Sequence, residues 1–423
     1  MAIDWFRGLV SLSVTIYDVG PVPDDPGAAV AYEVTSYVGV DAGITISRGR
    51  SDELDTFSTG MCRFTLRNDG RWFDPADPQP GLAAEDFTAI LKPLRRVQVA
   101  ADGHTLFVGF VEGWPQQWDL GDNTGTVDIV AHDLTGTLAR IEITESAFVL
   151  DDSYRGRLDS DRLAGDLPQQ YTGERVGSLL GLAGISAVQF ATADTGKTLM
   201  PAKAALGSLL THVRDAEAAE AGFFYVDRNG VVRFRDRHSR WQDSDMTTAQ
   251  ATLTQDQFQA LRVDYDDTKI WNDVRRTRPD GVTQHAVDMS SIGEYGRRIS
   301  DETLEVISDG EALGRAQLWR DTYAAPVQRP TPVVVRPRSD PVTLFPVVLP
   351  LDLLGMVTLT RTPGGVGTQA TFTGLIEGIE HQVTGDDWVV TLTTSPADVI
   401  DGSAFLVLDD AAAGLVGTGT LAY

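Results

Sequence analysis

Cysteine is nearly missing: Cys62 is alone among 423 residues. No intramolecular disulfide can form, so stability must come from packing. Six histidines are scattered without H-x-x-x-H or C-x-x-C spacing, which removes the usual zinc frameworks. Basic residues are in deficit, 35 Lys and Arg against 60 Asp and Glu for a net charge of −25. Such a chain repels a nucleic-acid duplex or an anionic membrane surface. No stretch reaches the ~20 apolar residues of a bilayer span, and "MAIDWFRGLV" lacks the long apolar core of a leader. The expectation is a soluble chain that is not exported by the ordinary route.

Motifs for chemistry are also missing. There is no G-x-S-x-G elbow and no Walker A loop. "GGVGTQA" at Gly364–Ala370 spells a loose dinucleotide pattern, but it lies between two strands instead of opening a helix, so it reads as a turn. Asp264, Asp266 and Asp267 cluster in "VDYDDTK" without the spaced ligands and glycine of a calcium loop, and a solvated turn is the better reading of them than an ion site. Carboxylates for glycoside cleavage are abundant, yet none is singled out by its surroundings. Cys62, alternating with Phe64, reads as core instead of nucleophile. No catalytic residue, cofactor or metal is assigned.

Glycine and proline are plentiful, 41 and 20, which points to many turns and short strands. "SLSVTIYDV", "AVAYEVTSYVGV" and "MCRFTLRNDGRWFDP" alternate, with Cys62, Phe64 and Leu66 on one face. A hairpin turns at Asp102-Gly103, and "GTVDIVAHDL" adds a strand. Residues 1–145 therefore read as a first β-barrel-like domain. An α+β insertion follows over 146–258. It holds a helix in "GERVGSLLGLAGI", a second with Leu206, Leu209, Leu210 and Val213 on one face and Gly222 as stop, and a type I′ hairpin at Asn229-Gly230. A second β-barrel-like domain is assigned to 259–300 plus 340–398. Between its halves, 301–339 supplies a helix with Ala312, Ala316 and Trp319 on one face, then a Pro-rich connector excluded from a central strand. The remaining 399–423 are a C-terminal arm in which Phe405, Leu406, Val407 and Leu408 are expected to dock on a partner. The fold class is mainly β with an α+β insertion.

One phrase is written twice. "LFVGFVEGW" at Leu106–Trp114 returns as "TFTGLIEGI" at Thr371–Ile379, and upstream "LKPLRRVQV" at Leu91–Val99 lies over "LDLLGMVTL" at Leu351–Leu359. The order of pieces is the same, and the loop "TRTPGGVG" absorbs the extra length of the second hairpin. Chance recurrence of Gly-flanked hairpins is the simpler account, but the shared order argues for two copies of one module. Phe107, Gly109, Glu112 and Gly113 answer Phe372, Gly374, Glu377 and Gly378. The glycines Gly109 and Gly374 mark a bend or a close backbone approach, while Glu112 and Glu377 read as solvated edge charges.

"GITISRGRSDELDTFSTGMCRFTLRNDGRWFDP" at Gly43–Pro75 resembles the amino-terminal signature of minor tail proteins of long-tailed phages, especially those infecting actinobacteria. "WNDVRRTRPDGVTQHAVDMSSIGEYGRR" at Trp271–Arg298 resembles the family's second signature, and "GLIEGIEHQVTGDDWVVTLTTSPAD" follows in the expected order. The resemblance implies a tail-tip or baseplate hub, a homotrimer whose two like barrels per subunit form a quasi-sixfold ring. Implied partners are further copies of the chain, a distal tail or tail tube protein above, a tape measure protein in the lumen, and fibre or spike proteins below. DNA would pass without specific binding, and the place would be the tip of a virion assembled in the host cytoplasm. Two other classes compete: a tail-associated cell-wall hydrolase, and a receptor- or carbohydrate-binding adhesin, which the eight tryptophans permit.

Overall fold

A computed structural model describes residues 10–21, 29–78, 86–119, 124–143, 166–185 and 194–397. Phe405–Leu408 and the rest of the proposed arm lie outside the described residues.

The architecture is mainly β, dominated by one sheet with fourteen strands among the described residues. Five strands of its first half are β1 Ile44–Gly49, β2 Ser58–Arg67, β3 Arg96–Ala101, β4 His104–Val111 and β5 Thr124–His132. Five of its second half are β6 Ala260–Asp264, β7 Arg329–Val335, β8 Met356–Arg361, β9 Ala370–Val383 and β10 Trp388–Pro396. The spatial order is β1-β2-β5-β4-β3 in the first half and β6-β7-β10-β9-β8 in the second. Each half therefore runs through the same antiparallel path, and β9 pairs with β1 to fuse the two into one sheet.

Alternation makes these strands. In β2, Cys62, Phe64 and Leu66 are buried while Arg63 and Arg67 are exposed, the period-2 pattern of a sheet with one covered face. Leu12–Tyr17 and Ala31–Glu33 extend the edge beyond β3, and Gln116–Asp119 pairs with β5. The turn between β3 and β4 has positive φ at Asp102 (45°) and Gly103 (78°), as a two-residue I′ hairpin requires.

Three sequence assignments are corrected here. The Pro-rich stretch is not a connector: Arg329–Val335 is β7, an interior strand between β6 and β10. Its prolines fall at Pro330 and Pro332, beside a register shift with β6, and the ladder to β10 forms only from Val333 to Val335. Missing donors thus sit where the ladder is already irregular. Strands Asp273–Thr277, Gln284–Val287 and Ile299–Thr303 do not join the large sheet; they make a three-stranded sheet of their own. Conversely Ala249–Thr254, assigned to the insertion, pairs in parallel with β8.

The insertion has its own core. Helix α1 Thr172–Leu182 and helix α2 Leu209–Glu220 bury Val176, Leu179, Leu209 and Val213 against Phe224, Val232 and Phe234 of the hairpin Phe223–Val226/Val232–Arg235. Leu206 precedes α2 and is exposed, because the helix starts only at Leu209. The helix stops at Ala221, in the left-handed region at φ 54°, and not by a left-handed Gly222. The hairpin is confirmed but its turn type is corrected. Asn229 does not take positive φ; Gly230 alone does, at 78°. The Asp227 carboxylate accepts from Asn229 and Val231 N–H, and its carbonyl accepts from Gly230 N–H. An acidic residue that caps a wider loop replaces the need for two left-handed residues.

Helix α3 Asp309–Tyr323 covers the three-stranded sheet, with Ala316 packed on Val274 and Ala286. Ser308 Oγ accepts from Glu311 N–H while Glu311 accepts from Ile307 N–H, so both ends of the first turn are satisfied.

Candidate functional site

The repeated phrase lies in corresponding strands. Phe107 and Gly109 of β4 pair with Val99 and Val97 of β3; Phe372 and Gly374 of β9 pair with Leu359 and Val357 of β8. Just before each first strand a leucine takes positive φ, Leu94 at 61° and Leu354 at 63°. Leu94 N–H donates to Val111 O at 2.6 Å, and Leu354 N–H to Ile376 O at 2.7 Å. Val111 N–H answers to Arg95 O at 2.9 Å, and Ile376 N–H to Gly355 O at 3.0 Å. A β carbon at Gly109 would stand 2.6 Å from His132 O, and one at Gly374 2.9 Å from Ser395 O, so each glycine admits the neighbouring strand's backbone. Gly113 and Gly378 follow as the strands diverge in environment.

The two glutamates separate at this point. Glu112 keeps a side chain 40% exposed, hydrogen-bonded to Arg140 at 2.7 Å and near His132 at 3.1 Å. Glu377 is corrected: it is not a solvated edge charge but fully buried, in contact with Arg50 at 2.6 Å and with the Ser395 hydroxyl. The reason is the β9–β1 junction, which covers Glu377 and brings Arg50, just past β1, over it; Arg50 N–H also donates to Glu377 O at 2.8 Å. Burial alone would lower the Arg50 pKa, but the Glu377 carboxylate raises it above the ordinary guanidinium value.

A band of charge continues from this pair along the junction between the halves. Arg48 pairs with Asp352 at 2.7 Å. Glu53 meets Arg329 at 2.7 Å and Lys269 at 3.0 Å, and although burial pushes its pKa up, these cations hold it below the usual carboxylate value. Sequence reasoning missed this network, since its members are hundreds of residues apart; only the Arg-Gly-Arg at Arg48–Arg50 hinted at it. Asp264, Asp266 and Asp267 do not converge: they serve Arg262, the Thr268 N–H and hydroxyl, and Arg298 respectively. Cys62 is core, its thiol pushed up by burial. Such an arrangement can lock and align two modules: the Glu377 carboxylate that accepts from the Ser395 hydroxyl is itself paired with Arg50.

No protein-family model and no curated protein matches the chain. Among solved structures, the 43 kDa tail protein of prophage MuSo2 from Shewanella oneidensis superposes with a TM-score of 0.56 at 14% identity, covering 92% of this chain and 99% of that one. The fold is that of phage tail proteins. A tail protein from Neisseria meningitidis MC58 agrees, with a TM-score of 0.53 at 11% identity over 91% of this chain and 96% of its own. At such identities the likeness concerns the tail-protein fold alone, and nearly the whole chain takes part in it. No helix among the described residues is long and apolar enough to cross a membrane.

Proposed function

We propose that the chain is a structural hub at the tip of a phage tail, three copies closing into a quasi-sixfold ring that joins a sixfold tube to threefold tip components and lets DNA through. The observation that carries this reading is the matched pair of five-strand modules, with common strand order, register and hydrogen bonds. Like modules can occupy like positions, and twice three matches six.

The junction inside one chain suggests the junction between chains. Residues Gly378–Val383 of β9 pair with Ile44–Gly49 of β1. By the repeat, the first module's equivalent of the β9 segment includes Gln116–Trp118, and the second module's equivalent of β1 is β6. Among the described residues both are sheet edges: the sheet path ends at β6, and Gln116–Asp119 pairs only with β5. Trp118, Val263 and Tyr265 are 42%, 38% and 64% exposed there. In the proposed ring Gln116–Trp118 of one copy lies antiparallel to Leu261–Val263 of the next, satisfying edge groups that would otherwise invite aggregation. The net charge of −25 suits a lumen that does not hold DNA.

The proposed partners are a distal tail or tube protein above, a tape measure protein inside, and fibre or spike proteins below, in the virion. The Phe405–Leu408 arm is read as docking on one of them, so truncation after Gly402 should leave a folded chain that fails to join tails. A catalytic role is not part of the proposal, and purified chain should give no peptidoglycan clearing in a zymogram. The decisive experiment is a reconstruction of the assembled tail tip. Three copies with alternating modules are expected; six copies, each giving one module, would overturn the proposal.

A further inference from the structure

A cavity of about 490 Å³ lies where the first module, the insertion and the three-stranded unit meet, at a place the ring reading does not use. Its size falls among small-ligand sites, roughly 300–1,000 Å³. Arg50 and Arg240 line it and converge on one ring: their guanidinium carbons stand 5.6 and 4.9 Å from the Phe223 centroid. Arg50 spends Nε on Glu377 and Nη1 on the Asp55 carbonyl, while Nη2 is buried and without a hydrogen-bond partner among the described residues. Arg240 forms no ion pair with any carboxylate among the described residues; it lies over Phe223 and near the Tyr323 hydroxyl.

Of the five carboxylates in the lining, the two buried ones are committed elsewhere, Glu53 to Arg329 and Lys269, Glu217 to Arg214 and the Phe224 N–H; Asp55, Asp301 and Glu302 are exposed at the rim, Asp55 accepting from the Ser51 hydroxyl and Glu302 pairing with Arg276. Trp241, Trp271 and Trp319 complete the lining with flat apolar faces. A buried Arg50 with a spare donor and a half-buried Arg240 with no carboxylate partner among the described residues, both against the Phe223 face, are short of an anion. A two-oxygen acceptor suits one spare donor and one free guanidinium better than a dianion with three oxygens.

We propose that this cavity binds a carboxylate carried on a flat apolar body, an aromatic acid being the minimal ligand. Arg240 supplies the ion pair, Arg50 the additional donor, and the tryptophans the stacking surfaces. The tryptophans also provide the readout, since a ligand among them must change their fluorescence.

Benzoate titrated into the full chain should give a saturable fluorescence change with a Kd on the order of 1 mM. Benzyl alcohol, which keeps the ring and loses the charge, should bind at least about tenfold more weakly, and added salt should weaken benzoate. Arg240→Ala should lose at least about tenfold in benzoate affinity with an unchanged near-ultraviolet circular dichroism spectrum. If that variant misfolds, Arg240→Gln together with the salt dependence of the unaltered chain carries the test. Absence of saturation, equal binding of benzyl alcohol, equal binding by the folded variant, or inorganic phosphate binding as tightly as benzoate would each overturn the assignment. None of these outcomes bears on ring assembly, so the two proposals fail separately.

Discussion

Glu112 and Glu377 occupy the same place in a repeated phrase and should behave in opposite ways when removed. Glu377→Ala leaves Arg50 charged, buried and unpaired, which typically costs about 3–5 kcal/mol. Glu112→Ala removes an exposed pair with Arg140 and should cost less than about 1 kcal/mol. Urea unfolding of both variants checks the contrast, and equal losses would mean that Glu377 is not buried as described. His381 gives a pH dependence. It is fully buried, its Nδ1 accepting from Trp388 Nε1 at 3.3 Å, and burial, with the Arg48 charge behind it, lowers its pKa to about 3 from 6.5. The folded chain therefore resists a proton that the unfolded chain takes up. Stability from this group is complete above pH 6.5 and declines as pH falls toward 3, by on the order of 4–5 kcal/mol. Asp133 opposes it over part of that range, because burial raises its pKa to about 6 and its protonated form is the one favoured in the fold. His381→Leu should flatten the acid limb of a stability–pH curve, and an unchanged limb would refute this assignment.

Among the elements, the insertion hairpin is the most sensitive to a single atom. Gly230 has φ 78°, and a β carbon there would stand 2.7 Å from Val108 Cγ1 of β4. Gly230→Val should therefore destabilise the chain by at least about 1 kcal/mol, through both the backbone and the clash with the first module. Thermal melts of this variant and of Gly230→Asn, which keeps the β carbon but tolerates positive φ, separate the two causes, and two unchanged melting temperatures would refute the turn. The hairpin was legible in the sequence, as were alternation at Cys62, Phe64 and Leu66 and the helix over Ala312 and Ala316, because each signal lies within a few residues. The role of Asp227 in choosing the turn was less visible, since Asn-Gly suits the two-residue turn so well. The strand at Arg329–Val335 was hidden by its prolines, whose missing donors matter only where the ladder demands them. Burial of Glu377 could not be read locally at all: it depends on β1, hundreds of residues upstream, lying against β9. The repeat marked corresponding strands and gave the wrong environment for Glu377.

At the scale of the whole molecule, the repeat makes a demand that one chain cannot meet. Inside the chain, the second module's β9 covers the first module's β1, whereas among the described residues the equivalent edges at Gln116–Trp118 and Leu261–Val263 have no strand on their outer side. If the modules are alike in assembly as they are in strand order, those edges pair between copies. Carrying the Gln382–Thr45 register across the repeat sets Gln117 of one copy opposite Arg262 of the next. Cysteines at both positions, Gln117→Cys with Arg262→Cys, should thus oxidise into covalent closed trimers in assembled tails, while either change alone should give none. The native Cys62 is buried and does not compete. A ladder running past three copies would mean an open, non-closing contact. Cross-linking within a single chain is ruled out by the sheet path, in which these two strands are separated by six others. Arg262→Pro supplies the complementary test, because a proline on the outer edge of β6 blocks strand addition with little effect on an edge already facing solvent. A folded Arg262→Pro chain that still builds tails of normal stability would show that β6 is not the joint.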